Sequence, residues 1–252
     1  MKVATPHLSH SRISKYLTCP EQYRLYYVEN LRQRYLSSNL VFGQIVHQAL
    51  AQLFQAGEDP VGHFLENWTG VKDAELSYGK RDSWESLRGI GEALLTKFVD
   101  EELPKFGDVE SSEKPFELEI TTLDLPFVGI IDLVADVQGQ RTVVDFKTSA
   151  SSYRSHEARM SDQLTAYRLA EPDCERAALC VLVKTKTPKI EWHFAGRTSE
   201  QIIEYLAKTQ LVAQEITDGR FYKRPGMWCT WCDYLPVCLG DEKKIKETLV
   251  QL

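Results

Sequence analysis

Val128-Gly129-Ile130-Ile131-Asp132-Leu133-Val134-Ala135-Asp136 and Thr142-Val143-Val144-Asp145-Phe146-Lys147-Thr148 are two runs rich in β-branched residues, with Gly139 between them. That composition predicts two strands, and the glycine suits the tight turn of a hairpin. Side chains on a strand alternate faces, so Asp145 and Lys147 project from one side while Phe146 packs on the other. If Gly139 closes the hairpin, Asp132 lies on the neighbouring strand, and two carboxylates and one ammonium converge. An isolated Asp-x-Lys is usually a solvated face or a surface ion pair. Here it follows the apolar pair Val143-Val144, in a strand expected to be partly buried, where unpaired charge is costly. Phosphodiester hydrolysis uses such a set: carboxylate oxygens hold Mg²⁺ or Mn²⁺ at the scissile phosphate, and a lysine orients water or offsets developing charge.

Working outward, the first third predicts helices. Ser11 can cap one through Leu17 that stops at Cys19-Pro20, and a second runs from Glu21 to about Glu29. A longer helix over 39–55 carries a stripe of Leu40, Val41, Ile45, Val46, Ala49, Leu50 and Leu53. Two more are expected over 61–68 and 83–101. The character changes at Pro115: 116–123, 127–137 and 142–146 form a meander. A helix follows over 160–170, then strands over 177–184 and 189–194, and a long helix over 198–218 capped by Thr198. Helices, three strands, helix, two strands, helix predicts an α/β fold with a central mixed sheet.

The 252 residues, 43% of them hydrophobic, can bury a sizeable core as one domain, or one with an appended lobe. No apolar run is long enough to span a membrane and no apolar leader opens the chain, so a cytoplasmic protein is expected. The net charge of −6 counts against a nucleic-acid partner. Its distribution softens this: Lys2, Arg12, Lys15, Arg24, Arg32 and Arg34 outnumber the acids of residues 1–40, while 100–119 is a strongly acidic stretch.

Cys229-Thr-Trp-Cys232, then five residues, then Cys238 presents three soft ligands in a turn-rich segment. In a chain without export signals this favours metal ligation, by zinc or an iron–sulfur cluster, over disulfides. Cys174 and Cys180 have no such context and read as structural.

The set resembles the PD-(D/E)xK nucleases, specifically the RecB-like branch with the AddB nuclease domain and the CRISPR-associated Cas-four nucleases. The Gly-x-x-x-His element is matched by Gly43-Gln-Ile-Val-His47, Gly-x-x-Asp by Gly129-Ile-Ile-Asp132, Asp-x-Lys by Asp145-Phe-Lys147 and Gln-x-x-x-Tyr by Gln163-Leu-Thr-Ala-Tyr167, in family order. The resemblance spans nearly the whole chain. It implies a restriction-endonuclease-like core in a single nuclease domain: a helical part over 1–110, the core over 111–220 and a cysteine segment over 221–252. It implies that His47, Asp132, Asp145 and the backbone carbonyl of Phe146 coordinate Mn²⁺ or Mg²⁺, that Lys147 serves catalysis, and that Gln163 and Tyr167 steady Lys147 and the phosphate or contact a base. It also implies that Cys19, within Ser11-Arg-Ile-Ser-Lys-Tyr-Leu-Thr-Cys-Pro, joins Cys229, Cys232 and Cys238 around a 4Fe-4S cluster, which it ranks ahead of Zn²⁺. The cluster would be a staple closing a loop of about two hundred residues, restricting the unfolded chain.

The activity so implied is an exonuclease on single-stranded DNA or duplex ends. No phosphate-binding loop of the Gly-x-x-x-x-Gly-Lys type is seen, so any unwinding would come from a helicase, recombination or CRISPR partner. Tyr16, Tyr23, Tyr26, Tyr27 and Tyr35 alternate with Lys15, Arg24, Arg32 and Arg34, which suits a strand-binding face including Arg12, Lys15, Tyr16 and Arg24. The same tyrosines also suit a core between helices. Two other readings stay open: a non-catalytic DNA-end-binding adaptor of a recombination, repair or CRISPR complex, and a zinc-bound or redox-sensing regulator.

Overall fold

The computed structural model describes residues 7–174 and 176–252, and Lys2 lies outside them. The chain packs as two compact units, one formed by Leu36–Phe116 and Ile130–Gln201, the other by Met1–Tyr35, Glu117–Gly129 and Ile202–Leu252.

The first unit holds a five-stranded sheet ordered β1 (Phe106–Leu118), β2 (Phe127–Val137), β3 (Gln140–Ser149), β4 (Arg176–Val183) and β5 (Lys189–Ala195). β2 pairs antiparallel with β3, β3 parallel with β4, and β4 antiparallel with β5, so the sheet is mixed as expected. The β2–β3 register runs from Val137↔Gln140 back to Leu133↔Val144. Its two-residue loop has positive φ at both Gln138 and Gly139, the twist that matches right-handed strands. Beyond Leu133↔Val144 the next residues of the two strands are Asp132 and Asp145.

Two cores clothe the sheet. Val144 and Phe146 join Phe42, Ile45, Phe64, Trp68, Leu94 and Phe98, from helices over Ser38–Ala56, Pro60–Gly70 and Trp84–Lys97 with the wider turn Phe98–Glu102. Val143 joins Ile131, Leu164, Tyr167, Leu179 and Val181 on the other side, under the helix Asp162–Ala170. Phe146 therefore faces away from its neighbours Asp145 and Lys147, as the strand period requires.

Several boundaries differ from expectation. β1 begins at Phe106 rather than near Pro115, and it ends at Leu118 instead of continuing to Leu123. It is an edge strand with no buried residue, carrying Asp108, Glu110, Glu113, Lys114 and Glu117, so its pattern is set by protection of an open edge and not by a buried face. Leu40 is half exposed and lies off the buried stripe of its helix. The first helix, His10–Thr18, is capped by Ser9, whose hydroxyl accepts the Arg12 N–H at 3.3 Å, rather than by Ser11. The expected second helix is present over 20–28, α-helical over Pro20–Tyr23 and wound as a wider π-helix over Arg24–Val28.

In the second unit Leu31–Gln33 pairs antiparallel with Leu249–Gln251. Thr198 caps the long helix Ser199–Thr217 by accepting the Gln201 N–H. Among the described residues no helix is long and apolar enough to cross a membrane.

Candidate active site

Asp145 is fully buried on β3, and its Oδ2 lies 2.6 Å from Lys147 Nζ. Lys147 also donates to Gln163 Oε1 at 2.8 Å, and Gln163 Nε2 donates to Tyr167 Oη at 2.8 Å. The Tyr167 hydroxyl donates to the Ile130 carbonyl at 2.8 Å and stands 3.3 Å from Asp145 Oδ1. Gln163 and Tyr167 are one helical turn apart, so a single helix face supplies both. The result is a closed chain of polar contacts from Lys147 back to Asp145. On β2, Asp132 Oδ2 accepts the Phe146 N–H at 2.8 Å and lies 3.5 Å from His47 Nδ1. His47 comes from the helix Ser38–Ala56, one turn after Gly43. A Cβ on Gly43 would stand 2.9 Å from Thr148 Oγ1, so the missing side chain lets this helix lie close to β3.

Two carboxyl groups stand beside one ammonium here. Burial pushes the Asp132 carboxyl well above its ordinary range, and the nearby Asp145 carboxylate pushes it further. Burial lowers the His47 imidazole, so its neutral form is favoured despite Asp145; the Phe146 carbonyl also hydrogen-bonds the ring. Burial acts to lower Lys147 too, but the charge and hydrogen bond of Asp145 outweigh it and leave the ammonium above its usual value. Only Asp145 has an ammonium partner, so Asp132 is held toward its neutral acid unless a cation comes to share the site.

The sequence model of the PD-(D/E)XK nuclease superfamily matches residues 7–239. The chain belongs to this superfamily. The nuclease fold also aligns with the crystal structure of a protein from Eubacterium rectale described as a candidate exonuclease, at TM-score 0.56 and 11% identity, over 90% of this chain and 87% of that one. A structure of the protein SSO0001 aligns at TM-score 0.40 and 13% identity over 91% and 93% of the two chains, too loosely to argue from. No curated protein matches.

PD-(D/E)XK nucleases use divalent ions such as Mg²⁺ or Mn²⁺, and this chain is a metal-dependent nuclease of that kind. Among the described residues no three His, Cys, Asp or Glu side chains already stand as an ion-holding group. Asp145 is turned to Lys147, and Asp132 to a backbone amide. The donor chemistry nonetheless fits: a neutral imidazole stands beside two carboxyl groups, one of which, Asp132, would give up its proton to a bound ion. A pocket of about 290 Å³ opens where His47 and Asp132 meet Gln48, Gln52, Gln55, Ile130 and Glu113. The glutamines were not singled out from the sequence, although their spacing along one helix face beside His47 was a readable signal.

The nuclease carries its other sequence-predicted group in the second unit. Cys19 follows the first helix, Cys229 sits in the turn Met227–Trp231, Cys232 ends that turn, and Cys238 lies in the short helix Leu235–Leu239. All four are free thiols lining one cavity of about 550 Å³ with Leu25, Trp228 and Tyr234. Burial pushes the Cys232 and Cys238 thiols up, and Cys19 adds to the rise at both. Cys174 and Cys180 are buried; the first contacts the Arg141 and Arg176 carbonyls and the second lies in the apolar core.

The four residues expected on a strand-binding face differ in placement. Tyr16 is buried, and its hydroxyl donates to the Arg220 carbonyl at 2.7 Å, so it is a core group and not a stacking platform. Arg24 is held by Glu21 at 2.7 and 2.8 Å and by Glu29. Arg12 lies 4.3 Å from the Tyr27 ring centre, and Lys15 lies 4.5 Å from that of Tyr26.

Proposed function

We propose that this nuclease is a DNA exonuclease that hydrolyses single strands or duplex ends, with His47, Asp132, Asp145 and the Phe146 carbonyl holding Mg²⁺ or Mn²⁺. The observation that carries the reading is the fully buried Asp145 paired with the partly exposed Lys147, set beside Asp132 and His47. A divalent ion, when bound, supplies Lewis acidity toward the phosphate. The protein's own part is positional. Gln163, fixed by Tyr167, holds the Lys147 ammonium, which can orient the attacking water or offset charge on the phosphate. The exonuclease reading is supported by the description of the Eubacterium rectale protein. A helicase, recombination or CRISPR protein is the class of partner that would deliver such a DNA end.

Cys19, Cys229, Cys232 and Cys238 are proposed to hold a 4Fe-4S cluster, supported by four free thiols around one cavity. Such a cluster would tie residues near the two ends of the chain. Protein purified without oxygen should absorb at about 400 nm, a band that bound zinc does not produce.

Activity is tested with single-stranded DNA labelled separately at each end, in Mn²⁺, comparing the parent with Asp145→Ala. Stepwise shortening from one labelled end by the parent alone is expected. Equal cleavage by both proteins, or none by the parent, would remove the proposal.

A further inference from the structure

The segment that carries Cys229, Cys232 and Cys238 also turns large apolar side chains to solvent. Trp231 and Leu239 are 72% exposed, Met227 71% and Tyr222 56%. Side chains of this size usually find cover, and several in one short segment mark a contact surface. Two cations stand among them. Lys223 Nζ donates to the Cys238 carbonyl at 3.1 Å, and Arg224 donates to the Leu17 carbonyl with its guanidinium 5.2 Å from the Trp228 ring centre. Both bond carbonyl oxygens. Glu21 is within electrostatic range of Lys223, but Arg24 already hydrogen-bonds its carboxylate. Arg220, by contrast, is spent on Glu215 at 2.7 Å and Asp218 at 3.0 Å. Asp233, the acid between Cys232 and Cys238, is exposed and lies toward Gln33 and Lys15.

We infer that this rim binds single-stranded nucleic acid, with Trp231 stacking on an unpaired base and Lys223 and Arg224 meeting phosphates. An apolar protein partner would cover the ring and the thioether but leave two cations without counter-charge. A single strand supplies flat π faces and phosphates together. In a duplex the base faces are already stacked, so the ring selects the unpaired form. The inference rests on the nuclease reading only for the choice of DNA over RNA.

The test uses the full chain carrying Asp145→Ala, in buffer without divalent ions, and the anisotropy of fluorescein-labelled oligothymidylate. Trp231→Ala should weaken binding about tenfold, and Trp231→Phe should recover most of it, because stacking tolerates any ring. Changing Lys223 and Arg224 together to Gln should lower the slope of log affinity against log salt by about 1.4, two single-strand phosphate contacts. Unchanged affinity in Trp231→Ala would overturn the inference. So would unchanged affinity together with an altered oligomeric state, which would make the rim a protein interface. Failure of the nuclease reading shows separately, as absent Mn²⁺-dependent cleavage by the parent, and does not touch the binding result.

Discussion

Lys147 Nζ lies 2.6 Å from Asp145 Oδ2, and Asp145 has no exposed surface. A buried carboxylate and its ammonium partner are each costly without the other. Asp145→Ala should therefore lower stability by about 2 kcal/mol, below the full cost of an unpaired buried charge because Lys147 keeps 29% side-chain exposure. Adding Lys147→Ala should restore part of that loss while activity stays at least about a hundredfold down. Urea denaturation of both single variants and the double variant checks this; strictly additive losses would show the pair is not coupled.

Tyr167→Phe removes a hydroxyl that receives Gln163 Nε2 and donates to the Ile130 carbonyl. Ile130 is half exposed, so water can replace the lost donor at its carbonyl and stability should fall by no more than about 1 kcal/mol. Gln163 also loses the contact that aims it at Lys147, so cleavage should slow about tenfold with little change in substrate KM. Steady-state kinetics on a labelled strand, set beside the melting temperature, separates the two effects. A stable variant with full kcat would mean that Lys147 is held without this helix.

The central hairpin and the α/β class were legible because burial writes them into the residues. Val143 and Val144 go to opposite cores, and Gly139, with Gln138, takes the positive φ that a two-residue hairpin turn requires. β1 was not legible to its true start, since an exposed edge strand selects charge and carries little apolar alternation. Tyr16 shows a different limit. Tyrosines alternating with cations describe a wet surface and a packed helix pair equally well, and the wide turn at Arg24–Val28 changes which residues share a face. The residues of the candidate site were legible as a set, whereas the Ile130 carbonyl and Thr148, which help fix them, carry no signal of type or spacing.

Glu171 offers a pH test away from the site. It is buried at the end of the helix Asp162–Ala170, salt-bridged to Lys114 and to Arg141 at 2.8 Å. Burial raises its carboxyl, but the hydrogen bonds from Lys114 and Arg141 more than compensate and hold it below the ordinary 4.5. A depressed folded value means the stabilisation is fully present above about 4.5 and is lost as pH falls through the folded value. Glu171→Gln should cost about 2 kcal/mol at pH about 7 and progressively less toward pH about 3, as measured by urea denaturation across that range. An equal loss at both ends would assign the effect to packing instead of charge.

Gly43→Ala tests whether close approach of helix to strand places His47. Alanine favours a helix over glycine by about 1 kcal/mol, which works for stability. Its Cβ would stand 2.9 Å from Thr148 Oγ1, so either the threonine rotates or the helix shifts outward and carries His47, one turn along, away from Asp132. A misplacement of that size costs far more in catalysis than in folding. The variant should melt within about 1 kcal/mol of the parent yet cleave at least about tenfold more slowly and need more Mn²⁺ for half-maximal rate. Thr148→Ala in the same chain removes the obstructing oxygen and should restore most of the rate. Full activity in Gly43→Ala alone would show that the threonine yields, and that His47 does not depend on the glycine for its position.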